Sequence, residues 1–217
     1  MYQVLIQYHS LLLQGFFITL KLLGGIMVLG IPLGIFLGVV GGRFSKELGS
    51  VIKSARFITK VIPVLVFLFW LHYPLQGLLG IVVNPFWTTV FALGLLNTIA
   101  VASVVLSELQ LLPVAYREAG STLGLSSEQI IRHIELPLLF HRTIPQLLLI
   151  QASMLEYTLF ASLISVPELF RTAQSINAMI YKPVEIYSLL ILFFFIILAP
   201  LHLLIKWLEK RYIAQYD

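Results

Sequence analysis

The sequence predicts an all-α membrane protein with about five transmembrane helices, and three observations carry that prediction. Hydrophobic residues occupy 59% of the 217 positions and charged residues only 11%, whereas roughly 25% of the residues in a soluble domain are charged. The mean hydropathy of the chain is +0.96. Several apolar segments run for the ~20 residues that a spanning helix needs, without the alternation of polar and apolar residues that membrane β-strands show.

Five apolar segments define the predicted helices, and we treat residues 1–217 as one transmembrane domain. The helices are expected near residues 11–42, 55–72, 86–108, 140–165 and 184–208. The N-terminal segment lacks the basic start and the small-residue cleavage site of a signal peptide, so the first helix is expected to remain in the protein.

The distribution of basic residues predicts the orientation, because Lys and Arg accumulate near helix ends on the cytoplasmic side. Arg171 and Lys182 are expected on one side of the membrane. Eleven basic residues are expected on the other: Arg43, Lys46, Lys53, Arg56, Lys60, Arg117, Arg132, Arg142, Lys206, Lys210 and Arg211. The N-terminus is therefore predicted to be external and the C-terminus cytoplasmic. This asymmetry explains the pI of about 9.4 without a nucleic-acid partner.

Two features of the first half concern packing and the membrane surface. Gly30, Gly34 and Gly38 are four residues apart and share one helical face, which predicts close packing against another helix. The connection 44–60 is basic and amphipathic, so we expect it in the cytoplasm beside anionic lipid headgroups. Lys21 is expected to reach the outer headgroups, and a role in the solute pathway is its alternative.

Polar side chains inside the predicted spans mark candidate pathway residues, which are Asn97, Gln151, Glu156 and Tyr157. Asn97 lies halfway along the third helix, where an amide must find a partner; that partner is either another helix or a solute. Glu156 follows Arg142 by ~21 Å of helix, past the middle of the ~30 Å hydrocarbon core. Its alternatives are a functional site, an ion pair with Lys21, or protonation.

The longest polar interruption, Glu118 to Pro137, lies between the third and fourth helices and is predicted to form two short helices. Pro113 should end the continuation of the third helix, and Gly124 should end the first short helix. The second should begin at a capping box and end at Pro137 before the fourth helix. The capping box is formed by Ser126 and Gln129.

The two faces of this interruption differ in composition. One face is expected to be apolar, with Leu123, Leu125, Ile130, Ile131 and Ile134. The other is expected to face a partner, with Arg117, Glu118, Glu128 and Arg132.

Motifs for catalysis and cofactor binding are missing from the sequence. It has no phosphate loop of the GxxxxGK[ST] type and no GxSxG, and its five histidines lack metal-ligand spacing. It contains no cysteine. We therefore predict no catalytic residue, no metal site and no cofactor in this chain, which should not be an enzyme by itself.

The spacing of the polar interruption resembles the EAA loop of permease subunits of bacterial ABC importers. It reads Glu118-Ala119-Gly120, three residues, Gly124, nine residues, then Ile134-Glu135-Leu136-Pro137, with Gly120 in place of an alanine. Three further segments resemble the polar amino-acid uptake branch of that family: Gly15 to Leu20, Ser165 to Leu169, and Leu208 to Arg211.

The resemblance implies a type I ABC importer transmembrane domain in the bacterial cytoplasmic (inner) membrane, with cytoplasmic coupling helices in a loop at 113–137. It implies a second permease subunit in a homo- or heterodimer, two cytoplasmic ATPase subunits that bind ATP and Mg, and an extracytoplasmic solute-binding protein. The external segment Ser165 to Lys182 is polar enough to contact that protein. The residues expected to couple to the ATPase are Glu118, Ala119, Gly120, Gly124, Ile134, Leu136 and Pro137.

At three places the sequence departs from the motifs of the amino-acid uptake branch, and these differences bear on the identity of the solute. Its arginine-threonine-proline becomes Val61-Ile62-Pro63, its acid-arginine pair keeps only Glu108, and its lysine-aspartate-threonine-serine becomes Glu156 to Leu159. We expect a polar amino acid or similar small solute, and an acidic Glu156 without a nearby cation favours a basic one. The alternative is a non-transporting regulatory or scaffold subunit that retains the ATPase dock. An intramembrane enzyme has no support, because no catalytic constellation is visible.

Overall fold

The protein, described here by a computed structural model over residues 2–112 and 114–212, consists in those residues of helices joined by short connections. Ten α-helices follow one another: α1 Tyr2–Arg43, α2 Lys46–Val61, α3 Val64–His72, α4 Pro74–Leu79, α5 Pro85–Leu111, α6 Val114–Thr122, α7 Ser127–Ile130, α8 Leu136–Tyr157, α9 Leu169–Ile180 and α10 Pro183–Tyr212. A π-helical turn, Ile131–Glu135, joins α7 to α8, and a 3₁₀ helix, Thr158–Ile164, follows α8.

Four helical segments are long and apolar enough to cross a membrane, and a bent pair of helices makes a fifth if the pair is counted as one span. The four are Tyr2–Arg43, Pro85–Leu111, Glu128–Ile164 and Pro183–Arg211. The remaining pair, Lys46–Val61 and Val64–Leu79, is bent by 96°. The predicted all-α membrane fold with about five spans is confirmed.

The prediction of a continuous second helix at 55–72 is wrong, because the chain breaks at Ile62 and Pro63. Ile62 is extended, with φ −80° and ψ 122°. Proline lacks a backbone N–H and disfavours helical geometry in the residue before it, which accounts for the break. The nine residues of α3 span only ~14 Å, so α3 alone is too short to cross a bilayer.

Helices α1 and α5 form the central contact of the bundle. A Cβ atom added at Gly34 would lie 2.6 Å from Val101 Cβ, and one at Gly38 would lie 2.7 Å from Val105 Cβ. Such distances are shorter than van der Waals contact, so only glycine lets the two backbones approach this closely. The predicted packing role of the glycine face is confirmed.

The polar interruption adopts most of the predicted turn geometry. Gly124 has φ +76°, the left-handed conformation that ends a helix. The capping box is present in both directions: the Gln129 N–H donates to Ser126 Oγ at 3.3 Å, and the Ser126 N–H donates to Gln129 Oε1 at 2.8 Å. Pro113 and its predicted helix-ending role lie outside the described residues.

Pro137 does not separate the interruption from the fourth helix, contrary to the prediction. The helix continues from α7 through the π-helical turn into α8, and the Leu136 N–H bonds to the carbonyl of Ile131, five residues back. Pro137 occupies the first turn of α8, where a missing N–H is tolerated. The interruption is therefore continuous with the span that follows it.

The segment between α8 and α10, which was predicted to be external, forms the amphipathic helix α9 on α1. Its residues Leu169, Ala173 and Ile176 are buried, and the Leu169 N–H donates to Thr19 Oγ1 of α1 at 3.1 Å. A Cβ at Gly15 would lie 3.0 Å from Leu169 Cα. Two segments that resemble the amino-acid branch thus contact each other, which gives both a packing role.

Candidate coupling surface and solute pathway

The coupling residues predicted from the sequence divide between an exposed surface and a packed joint. Glu118 and Ala119 are exposed, whereas Gly120 is buried. A Cβ at Gly120 would lie 2.8 Å from Ile130 Cγ1 and 3.3 Å from Ile134 Cδ1. Gly120 therefore allows α6 to pack on the start of the next helix and leaves Glu118 pointing away from that joint.

The predicted apolar face of the interruption is only partly inward. Ile130 is 3% exposed and belongs to the joint, but Leu123 is 80% exposed and Leu136 is 50% exposed. The expectation for Leu123 is wrong, because it follows the end of α6 and turns outward. The outward residues form what we call the coupling surface: Glu118, Ala119, Leu123, Glu128, Arg132, Leu136 and Pro137. The side chain of Arg117 lies outside the described residues.

Two ion pairs connect this segment and the helix that follows it to the bundle, and sequence reasoning missed both. Arg43 Nη1 at the end of α1 lies 2.9 Å from Glu135 Oε2 in the π-helical turn. Arg142 Nε of α8 lies 3.0 Å from Glu108 Oε2 of α5. Both carboxylates are about 8% exposed, and buried charges need such partners. Acidic and basic residues at the ends of adjacent spans were the available signal.

Gln146 strengthens the second connection. Its Nε2 donates to Glu108 Oε1 at 2.6 Å, so both oxygens of that carboxylate accept hydrogen bonds. The segment 118–137 is consequently attached to α1 by one buried carboxylate, and the helix that follows it is attached to α5 by another. A displacement of the coupling surface would reach two spans directly.

Asn97 and Gln151, two of the expected pathway residues, form a closed pair between α5 and α8. Asn97 Nδ2 donates to Gln151 Oε1 at 3.2 Å, and Gln151 Nε2 donates to Asn97 Oδ1 at 3.1 Å. Asn97 is fully buried and Gln151 is 7% exposed. Asn97 also donates to the Ile26 carbonyl of α1 at 3.3 Å. This geometry favours the interhelical alternative for both amides.

Glu156 and Tyr157, the other two expected pathway residues, occupy different faces of α8. Glu156 is exposed, on the face that also carries Leu149 and Ser153. Among the described residues its carboxylate has no ion pair, with Lys21 or with any other cation. Tyr157 is half-buried, stacks on Phe160 with ring centroids 6.2 Å apart, and lines a cavity.

That cavity lies at the break between α2 and α3 and has a volume of about 350 Å³. Its lining comes from four helices: Arg56, Thr59, Lys60, Ile62, Pro63, Val64, Leu96, Met154 and Tyr157. We call it the break cavity. Leu96 lies near the middle of α5, which runs from residue 85 to 111.

The position of the break cavity corrects the expectation that 44–60 is a surface connection. Arg56 and Lys60 lie beside Leu96 and Met154 rather than at an end of the bundle. The basic residues counted for orientation therefore include two that the broken span carries inward. Pro63, in front of an apolar run, was the signal that could have indicated the break.

Glu168, at the start of α9, is a buried carboxylate that sequence reasoning did not single out. Its two oxygens accept from the N–H groups of Phe170 and Arg171 at 2.8 and 2.7 Å, which caps α9. Burial raises the pKa of Glu168 to about 7, against the lowering effect of those two hydrogen bonds. The side chain is a helix cap that titrates near neutral pH.

Comparison with known proteins identifies the family. Residues 30–214 match the model of the binding-protein-dependent transport system inner membrane component. The chain is 29% identical over 207 residues to the glutamine transport system permease protein GlnP of Escherichia coli K12, which covers 93% of this chain and 92% of that one. It is 26% identical over 209 residues to the arginine ABC transporter permease protein ArtQ of Haemophilus influenzae, with coverage of 90% and 95%.

A solved structure shows the same fold. The crystal structure of an amino acid ABC transporter with histidines includes a chain that superposes with a TM-score of 0.85 at 23% identity, covering 97% of this chain and 98% of that chain. The expected type I importer fold is confirmed. The chain belongs to the family of binding-protein-dependent transport system inner membrane components and is a permease of the ABC transporter class.

Proposed function

We propose that the chain is the membrane permease subunit of an ATP-driven importer for a polar amino acid, coupled to a separate ATPase through the coupling surface. The relatives named above are permeases for glutamine and arginine transport, which supports an amino-acid solute. The observation that carries the coupling proposal is the exposed surface at 118–137. An ion pair joins this segment to α1, and the segment continues into α8, which a second ion pair joins to α5.

The geometry supports a mechanical role for this surface. Two cytoplasmic ATPase subunits would bind ATP and Mg, and their closure would displace the coupling surface. Because Glu135 holds Arg43 and Glu108 holds Arg142, the displacement would move α1, α5 and α8 as packed units. Rigid shifts of packed helices are a common way for proteins to switch between two states. The importer would also contain a second permease subunit and an extracytoplasmic solute-binding protein.

Glu156 supports a preference for solutes with a cationic group. Its carboxylate is exposed, and no cation among the described residues neutralises it. A solute that supplies the cation would remove the cost of an unpaired charge inside a span. We propose a basic amino acid as the first solute to test, in a bacterial inner membrane with the N-terminus outside.

A non-transporting scaffold or regulatory subunit is the second candidate. The closed Asn97–Gln151 pair favours it, because this pair leaves no free amide for a solute in the middle of the bundle. Transport and scaffold roles differ in one measurable property. A transport subunit supports solute uptake, and its Glu156→Gln variant should weaken the uptake, whereas a scaffold supports binding of the ATPase alone.

The coupling proposal is tested by Glu118→Lys in the reconstituted transporter. We expect loss of ATPase binding in a pull-down and loss of ATP-driven amino-acid uptake. Glu47→Lys is the matched control, since Glu47 is also an exposed glutamate on the side expected to be cytoplasmic but belongs to α2. Normal binding and uptake with Glu118→Lys would refute the coupling role. ATPase binding without uptake of any amino acid by the parent would favour the scaffold.

A further inference from the structure

The broken span carries charged residues into the middle of the bundle. Helix α2 starts near the cytoplasmic end of α1, where Gly49 contacts Gly41, and its 16 residues extend ~24 Å. Its last turns therefore reach the level of Leu96, halfway along α5. Charged residues at such a depth almost always face a cavity or a partner, and they mark functional sites by default.

Among the described residues, the two cations of the break cavity have no counter-ion. Across residues 2–112 and 114–212, neither Arg56 nor Lys60 is part of an ion pair. The Arg56 side chain is half-buried. A half-buried guanidinium without a carboxylate is costly in a folded chain, and an anionic ligand would supply the missing partner.

The remaining walls of the cavity add neutral groups suited to the same ligand. Tyr157 brings a phenol and Thr59 a hydroxyl, while Leu96 and Met154 supply apolar surface. Helix α3 begins at Val64, on the cavity wall. The first N–H groups of a helix lack intrahelical partners and carry the positive end of its dipole. Broken helices in other transporter folds direct such ends at anionic solute groups.

We propose that the break cavity is the subsite that binds the carboxylate of the transported amino acid, with Arg56 and Lys60 as its ligands. The inference rests on the proposed transport function and deepens it. A guanidinium binds a carboxylate through two parallel hydrogen bonds, and about 350 Å³ lies within the range of small-molecule sites. Glu156 does not line this cavity, so the carboxylate subsite is separate from the acidic group that favours a cationic solute.

The test compares amino acids with their α-amides, in which a neutral carboxamide replaces the carboxylate. Binding of L-arginine, L-glutamine and their α-amides is measured on the assembled permease–ATPase complex without the solute-binding protein, after an uptake screen has identified the transported amino acid. Arg56→Gln and Lys60→Gln should each weaken binding of the amino acid about ten- to a hundredfold and leave binding of the amide unchanged. Lys53→Gln is the matched control on the same helix, since Lys53 donates to Gln110 outside the cavity.

The outcomes separate the inference from the proposed function. If the parent transports no amino acid, the proposed function fails and the inference with it. If the parent transports one and the glutamine variants keep its preference for the carboxylate, or lose acid and amide binding equally, only the inference fails. Should Arg56→Gln not assemble, Lys60→Gln decides, because Lys60 is exposed and its loss leaves packing intact.

Discussion

Two polar clusters lie in the middle of this bundle, and they are built in opposite ways. Asn97 and Gln151 are buried, satisfy each other with two hydrogen bonds, and are held by the glycine face of α1. Arg56 and Lys60 border a cavity, and the described part of the chain offers neither an ion-pair partner. Buried polar groups are normally satisfied, so polarity inside a span does not by itself indicate a solute site.

The two clusters differ in whether their polar groups already have partners among the described residues. Groups with partners serve the structure, whereas groups without them indicate a functional site. A satisfied pair such as Asn97–Gln151 specifies how helices pack. An unpaired cation beside a cavity requires something from outside the chain. The first cluster is buried and held by its neighbours, whereas the second borders a cavity, so the two should respond differently to substitution.

The largest expected effect comes from a change in the glycine face. Gly34→Leu would place a side chain where even a Cβ lies 2.8 Å from the Thr98 carbonyl oxygen. Because backbone cannot move aside as a side chain can, we expect loss of several kcal/mol of stability, beyond the ~1–3 kcal/mol typical of overpacking. Yield and unfolding temperature in detergent measure it.

Gly24→Leu is the control for this prediction, since a Cβ at Gly24 of the same helix would meet nothing within 4 Å. Equal tolerance of both substitutions would show that the close packing of α1 on α5 is not needed for stability.

A smaller loss of stability is expected when the hydrogen bonds between Asn97 and Gln151 are removed. Asn97→Leu or Gln151→Met leaves one buried carboxamide without its partner, which costs about 1–3 kcal/mol. The double substitution removes both groups and should cost less than the sum of the single changes. Uptake affinity in the double variant should match the parent. Additive losses of stability, or weakened solute affinity in the double variant, would contradict this account and favour Asn97 and Gln151 as residues of the solute pathway.

The last expected effect depends on pH and concerns Glu168, a buried carboxylate that lies outside the spans. Its folded-state pKa of about 7 exceeds the ordinary 4.5, so the folded protein holds the proton more tightly than the unfolded chain. Its contribution to stability is present below pH 4.5 and falls as the pH rises to about 7, by at most about 1.4 kcal/mol per pH unit.

Glu168→Gln should remove that pH dependence while its amide oxygen still caps α9. Unfolding temperatures between pH 5 and 7.5 measure the difference between the variant and the parent. Parallel profiles for the two proteins would show that Glu168 does not titrate in this range.

Much of the fold could be predicted from the sequence, because long apolar segments, glycine spacing and capping residues act locally. Gly30, Gly34, Gly38, Gly124 and the Ser126–Gln129 box all behave as their patterns indicate. The prediction that Pro137 ends a helix was wrong, because a proline in the first turn of a helix does not end it. The break at Pro63 was missed because the apolar run continues on its far side.

The candidate sites were less predictable, because partners distant in sequence decide what a polar residue does. The pair of Asn97 and Gln151 joins residues 54 apart, and that of Arg43 and Glu135 joins residues 92 apart. Composition marks such residues as unusual. Only the packing of α1, α5 and α8 shows which of them are paired.

Cysteine accessibility tests the central contrast most directly, because the chain has no native cysteine. Thr59→Cys places a thiol in the break cavity, and Val101→Cys places one in the sealed contact of α5 with Gly34. Each variant in membrane vesicles is treated with a water-soluble methanethiosulfonate, with and without the transported amino acid. We predict that the Thr59→Cys variant is labelled and that the amino acid protects it, while the Val101→Cys variant stays unlabelled. Labelling of both variants at equal rates, or no protection by the amino acid at position 59, would contradict the account.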